Sequence, residues 1–186
     1  MSEPVAVAVL AKAPLPGFAK TRLIPRLGAD GAARLQARLI ERAVETACAA
    51  AVGPVTVWAV PDAAHACFRA LNTRGVALAR QGDGDLGARM LAAIAAANGP
   101  TLVIGTDCPA LTSDDLREAA QILRGGTDVV VGPAEDGGYV LIGMRAPQPV
   151  LFGAAIAVVF LKEPLRAGRI VAALLIVAGL LLIRIY

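Results

Sequence analysis

A chain of 186 residues can bury the core of one domain and leaves little room for a second full one. Its formal charge of +3 is unevenly placed: residues 1–149 carry 14 Lys and Arg against 14 Asp and Glu, and the whole excess lies among apolar neighbours in residues 150–186. With no basic stripe and an aromatic content of only 4%, the chain lacks the footprint of a nucleic-acid binder, and nucleic acid is set aside as a partner.

The three cysteines, Cys48, Cys67 and Cys108, show neither CxxC nor metal-ligand spacing and are expected to be buried free thiols of a reducing compartment. Glu3 and Pro4 stand where a secretory leader would be basic, and the apolar run Val5–Ala11 is short. Residues 1–149 are therefore expected in the cytoplasm.

In chain order, "PVAVAVLAKAP" (Pro4–Pro14) reads as a buried first strand, and Lys12–Arg26, with three prolines and four basic residues, as a loop. The next segment, from Leu27 to near Gly53-Pro54, is an amphipathic helix. Its apolar face is expected at Leu35, Leu39 and Ala43, with Arg34, Arg38, Glu41, Arg42 and Glu45 on other faces. "VTVWAV" (Val55–Val60) is a strand with Trp58 in the core, and Asp62 is placed to cap a helix running through Leu71. His65, inside that helix and without a partner motif, is assigned a surface or packing role.

"GVALA" is a short strand, Leu86–Ala97 a helix and "PTLVIG" (Pro100–Gly105) a central strand. Thr112 or Ser113 caps a helix to Leu123, with Asp114 and Asp115 in the first turn where the helix dipole favours them. "TDVVVGPA" and "YVLIGM" are the last two strands. Strands and helices alternating in this way predict a three-layer αβα sandwich with a mostly parallel sheet, whose ligands gather at the carboxyl ends of the strands.

Four loops at strand ends carry chemistry. In "AKAPLPGFAKTRL" Lys12, Lys20 and Arg22 surround a Pro/Gly turn where Gly17 lets the backbone approach a ligand. Cations converging on exposed amides suit phosphate, although the Walker spacing is absent and a solvated basic loop reads equally well. In "GTDCPAL" Asp107 lies just past a buried strand, placed either to hold a hard divalent cation that also binds phosphate or simply to cap a turn.

"GPAEDGGYVLIG" sets Glu135 and Asp136 before Gly137 and Gly138, with Tyr139 opening a strand. These acids suit substrate hydroxyls or a metal, and the same residues suit a plain hairpin turn. "GDGDLGARM" presents Asp83 and Asp85 before a helix N-terminus, with Asp85 equally suited to be its N-cap. No GxSxG and no Cys/His pair supports covalent hydrolysis.

Taken together and in order, "LAKAPLPGFAKTRL", "GDLGARM", "GTDCPAL" and "GPAEDGGYVLIG" closely resemble a bacterial family of GT-A-type transferases. That family was long catalogued as a domain of unknown function, and some members are named provisionally as arsenosugar-biosynthesis glycosyltransferases. More distantly, the chain is similar to nucleotidyltransferases that guanylylate phospholactate or the molybdenum cofactor. The resemblance covers about residues 4–144.

It implies a nucleotide-diphospho-sugar transferase-like fold and a metal-dependent transferase that moves a glycosyl or nucleotidyl group from a nucleotide-activated donor to a small acceptor. Lys12, Gly17, Lys20 and Arg22 would then bind nucleotide phosphates. Asp107 would hold Mg²⁺ or Mn²⁺ and act with Asp136 in catalysis, and Glu135, Gly137, Gly138 and Tyr139 would line the acceptor side.

Beyond Met144 the sequence departs from the family, so residues 1–148 read as a C-terminally truncated transferase domain and 149–186 as a separate apolar tail. Val150–Leu161 and Ile170–Ile183 are uncharged runs of 12 and 14 residues joined by "KEPLRAGR". Neither alone reaches the roughly 18–20 residues of a spanning helix, whereas Leu165–Ile183 spans 19 if Arg166 and Arg169 snorkel to an interface. The segment resembles the last helical hairpin of drug/metabolite transporter-type membrane proteins. The expectations are a membrane-associated helical hairpin or a buried core helix. The competing functional reading is a non-catalytic, truncated GT-A domain fused to that tail.

Overall fold

The computed structural model describes residues 3–134 and 138–149. The unit ending at Pro147 is built on a six-stranded sheet. In chain order its elements are β1 (Ala6–Lys12), a 3₁₀ turn (Thr21–Leu23), α1 (Ile24–Ala50), β2 (Val55–Val60), α2 (Ala66–Asn72) and β3 (Ala77–Arg80). They continue with α3 (Leu86–Ala96), β4 (Thr101–Ile104), α4 (Ser113–Arg124), β5 (Val129–Pro133) and β6 (Tyr139–Met144). The expected apolar tail lies, from residue 150 onward, outside the described residues. Among the described residues no helix is long and apolar enough to cross a membrane.

The strand order is β3-β2-β1-β4-β6-β5. β1 pairs in parallel with β2 and β4, and β2 with β3, while β6 runs antiparallel to both β4 and β5. The sheet is therefore mostly parallel, with one reversed strand. β1 occupies the centre, and its pattern shows why: Val7, Ala8, Val9 and Ala11 are all buried, as expected of a strand covered on both faces.

Successive side chains of a strand point to opposite faces. Val5, Val7, Val9 and Ala11 join Leu102 and Ile104 of β4 in a core with Ile40 and Val44 of α1, Phe68 and Leu71 of α2, and Leu116 and Leu123 of α4. Ala8 and Val103, of opposite parity, are buried outside that cluster, as are Met90, Ala93 and Ile94 of α3. So α1, α2 and α4 cover one face of the sheet and α3 the other, which makes three layers. A Cβ at Gly143 of β6 would lie 2.6 Å from both Leu102 Cδ2 and Val130 Cγ1, so only glycine lets β6 pack at this depth.

Several local expectations are corrected. The Lys12–Arg26 loop ends early: Pro25 sits in the first turn of α1, where its missing N–H costs nothing, and Gly28 (φ +70) interrupts the helix before its long straight part. The buried stripe of α1 is Ala32, Gln36, Ile40, Val44 and Ala47, one residue on from the expected one; Leu35, Leu39 and Ala43 are its half-buried flank.

Helix α2 is capped by His65, whose Nδ1 accepts from Cys67 N, and not by Asp62, whose carboxylate accepts from Ala64 N upstream. His65 is thus an N-cap and not a helix-interior residue. Cys48 is exposed, about 100° around the helix from buried Ala47, and Cys67 and Cys108 are half-buried. Trp58 is only half-buried, so the core is built without its full ring. The α4 prediction is met by Thr112, which forms a capping box with Asp115.

Candidate active site

Because β1 to β4 are parallel, their carboxyl ends share one edge of the sheet. The reversed β6 begins at that same edge, since Leu141 pairs with Ile104 and Tyr139 with Pro133. All four motif loops therefore emerge on one side. That is the side where open α/β sheets bind ligands.

The loop after β1 turns at Gly17, whose φ of +79 suits glycine. It then passes through Lys20, a non-glycine residue held left-handed at φ 50 and ψ 42. Such backbone costs energy and persists where surrounding contacts enforce it, often at ligand sites. Lys20 Nζ lies 2.6 Å from Asp107 Oδ1, joining residues 87 apart in sequence. The lysine side chain is only 16% exposed, whereas that of Asp107 is 79% exposed, so the carboxylate is the accessible partner.

Asp107 Oδ1 also accepts from the Thr106 hydroxyl at 3.2 Å. Thr106 is buried, and its oxygen receives Gln36 Nε2 at 3.3 Å; the same Nε2 donates to Lys12 O at 3.1 Å. A second buried glutamine, Gln81, donates Nε2 to Trp58 O at 2.7 Å and to Ala11 O at 3.3 Å. The last two carbonyls of β1 are each gripped by a buried amide. Sequence reasoning missed both glutamines and Thr106. For Gln36 the available signal was a polar residue interrupting an apolar helical stripe; Gln81 and Thr106, in loops after β3 and β4, carried no such signal.

The remaining expected residues are placed as follows. Lys12 is exposed at the end of β1 with its ammonium 5.8 Å from the centre of the Phe18 ring, within cation–π range. Arg22 is exposed on the 3₁₀ turn, two residues past Lys20. Asp83 is exposed, and Asp85 is the N-cap of α3, accepting from Ala88 N at 2.8 Å. Ala134 N donates to Gly138 O at 2.9 Å, closing the short β5–β6 hairpin. Tyr139 OH contacts Met90 Sδ at 3.5 Å, and burial raises its phenol above the ordinary range. Glu135, Asp136 and Gly137 lie outside the described residues.

The donor chemistry can be tested against a metal. Among the described residues no three His, Cys, Asp or Glu side chains converge. One exposed carboxylate at a strand end suits a hard cation held between a single acid and substrate phosphates. It does not suit an all-protein cage. Asp107 is the residue that fits.

An α/β sheet with cations and an acid at its carboxyl edge is the ligand-binding arrangement of open α/β folds. The chain belongs to the bacterial family described as "Uncharacterized protein conserved in bacteria (DUF2064)", whose model matches residues 28–156, and that family is GT-A-like. Among solved structures it is similar to a protein of Desulfovibrio desulfuricans G20 provisionally described as a nucleotide-diphospho-sugar transferase. The two are 30% identical, with a TM-score of 0.71 over 82% of this chain and 68% of that one.

Rv0371c from Mycobacterium tuberculosis H37Rv shares the fold at 17% identity and TM-score 0.52, over 81% of this chain and 75% of its own. The 4-diphosphocytidyl-2C-methyl-D-erythritol synthase of Anaerococcus prevotii DSM 20548 does so at 9% and 0.53, over 87% and 78%. No curated protein matches the sequence.

Proposed function

We propose that residues 1–148 form a transferase domain that moves a glycosyl or nucleotidyl group from a nucleotide-activated donor to a small acceptor. The observation that carries this reading is the Lys20–Asp107 contact, which joins the basic loop after β1 to the acid after β4 at the ligand edge of the sheet. The resemblance to the Desulfovibrio protein points the same way.

In this reading Lys12, Lys20 and Arg22 neutralise the donor's phosphates, and Gly17 lets the loop backbone reach them. Asp107 would be the residue to hold a divalent cation, Mg²⁺ or Mn²⁺, and Lys20 would then be free to turn to the phosphate. When bound, that cation supplies positive charge at the phosphate oxygens of the leaving group. The acceptor oxygen attacks the transferred centre, the bond to the departing phosphate breaks, and the negative charge released falls beside Lys20 and Arg22. Tyr139 and Gly138, with Glu135, Asp136 and Gly137, would face the acceptor, and Asp136 would take the acceptor's proton.

The test is a binding titration of the full chain with the four ribonucleoside triphosphates and common nucleotide sugars, with and without Mn²⁺, beside Asp107→Asn. Metal-dependent binding that the variant loses is the expected result. Equal binding by wild type and Asp107→Asn would remove Asp107 from the site.

A further inference from the structure

We propose that Gln36 is a positioning residue for the Asp107 carboxylate, acting through the Thr106 hydroxyl. Its importance for function rests on the phosphate-site reading above; its geometry does not. Gln36 is the one polar member of the buried face of α1, between Ala32, Ala33 and Ile40, Val44, Ala47, Ala50. It is 3% exposed, and burying an amide there is unfavourable unless its hydrogen bonds are made. An aliphatic side chain would fill the same space, so packing alone does not call for glutamine.

The direction of the relay follows from donor and acceptor rules. A backbone carbonyl only accepts, so the Lys12 oxygen 3.1 Å away fixes which end of the Gln36 amide is NH₂. That NH₂ also faces Thr106 Oγ1, which must therefore accept. Thr106 has one hydroxyl hydrogen left, and it points to Asp107 Oδ1. The chain runs Gln36 N–H to Thr106 O–H to Asp107. One buried amide thus ties the end of β1, from which the basic loop departs, to the orientation of the acid after β4. Lys20 reaches the same Oδ1 from the solvent side. A nucleotide that draws Lys20 to its phosphates would leave the relay as the remaining protein contact described at Oδ1.

The decisive measurement is the side-chain rotamer of Asp107 in the full, isotope-labelled chain, from three-bond couplings between its backbone and Cγ. It is made in the Lys20→Met background, where the ion pair no longer contributes. A single rotamer is expected there, retained on adding Thr106→Ser and averaged on adding Thr106→Val or Gln36→Leu. Averaging already present in Lys20→Met, or a single rotamer surviving Thr106→Val, overturns the proposal. Should Gln36→Leu fail to fold, the Thr106 pair decides.

A second readout uses native Lys20 and the Mn²⁺-dependent nucleotide panel. Affinity should fall about tenfold or more in Thr106→Val and return in Thr106→Ser. If the wild type binds none of the panel, the nucleotide reading fails while the couplings still decide the relay.

Discussion

Replacing Lys20 by glycine and, separately, by alanine should separate backbone strain from ion pairing. Lys20 holds φ 50 and ψ 42 and pairs with Asp107 at 2.6 Å. Both substitutions remove the pair equally. Because Asp107 is 79% exposed, the pair contributes about 0.5 kcal/mol, in the range of surface ion pairs. They differ in the backbone. The left-handed conformation costs an ordinary residue about 1–2 kcal/mol, and glycine offsets part of that relief with about 0.5–1 kcal/mol of extra chain entropy.

Lys20→Gly should therefore be more stable than Lys20→Ala by about 0.5–1 kcal/mol, and close to wild type. For a domain of this size that is a melting difference of about 1–4 °C. Urea titration and calorimetry of the three proteins would measure it. Both variants should lose nucleotide binding despite their different stabilities. A glycine variant less stable than the alanine variant would refute the claim that strain is stored at this loop.

Other expectations follow from the same geometry. Gly143→Ala inserts a methyl 2.6 Å from Leu102 Cδ2 and Val130 Cγ1 and should cost about 1–3 kcal/mol, read as a lower urea midpoint; an unchanged midpoint would show that β6 can shift outward. Backbone and hydroxyl hydrogen bonds from Thr112 hold the Asp115 carboxyl below its usual range. Its cap therefore stabilises α4 above the ordinary aspartate range and is lost as pH falls through the lowered folded-state value. Thr112→Ala should cost about 1 kcal/mol at neutral pH and flatten the acid limb of stability against pH. Burial, with Glu41 nearby, pushes the Cys67 thiol up, so iodoacetamide should label exposed Cys48 first and Cys67 slowly; equal rates would contradict the burial.

The strands were the most legible part of the sequence, for a physical reason. Val55–Val60 is β-branched at four of its six positions, follows Gly53-Pro54 and is followed by Pro61, so its limits are set by local chemistry alone. Thr101–Ile104 is buried at every position, which a continuous apolar run announces. The reversal of β6 was not legible, because an apolar strand carries no mark of its direction.

Helix starts were harder. His65 took the cap expected of Asp62, since an imidazole Nδ1 accepts an N–H as a carboxylate does and stands one residue before the helix. The site was legible only through motifs: nothing local tells that Lys20 will meet Asp107 across 87 residues. Gln36 was missed because a lone polar residue on a helix reads as surface until the fold brings a carbonyl and a hydroxyl to it. Gln81 was missed because a glutamine in the loop after β3 reads as solvated until the Ala11 and Trp58 carbonyls are seen beside it.

The central claim is that a divalent cation and a nucleotide meet between the loop after β1 and Asp107. Paramagnetic broadening by Mn²⁺ of backbone amide signals, recorded with and without the best-binding nucleotide of the panel, tests it most directly. The account predicts broadening centred on Thr106, Asp107 and Lys20 to Arg22, strengthened by the nucleotide and abolished by Asp107→Asn. Broadening centred elsewhere in the unit, or unaffected by that substitution, would contradict it.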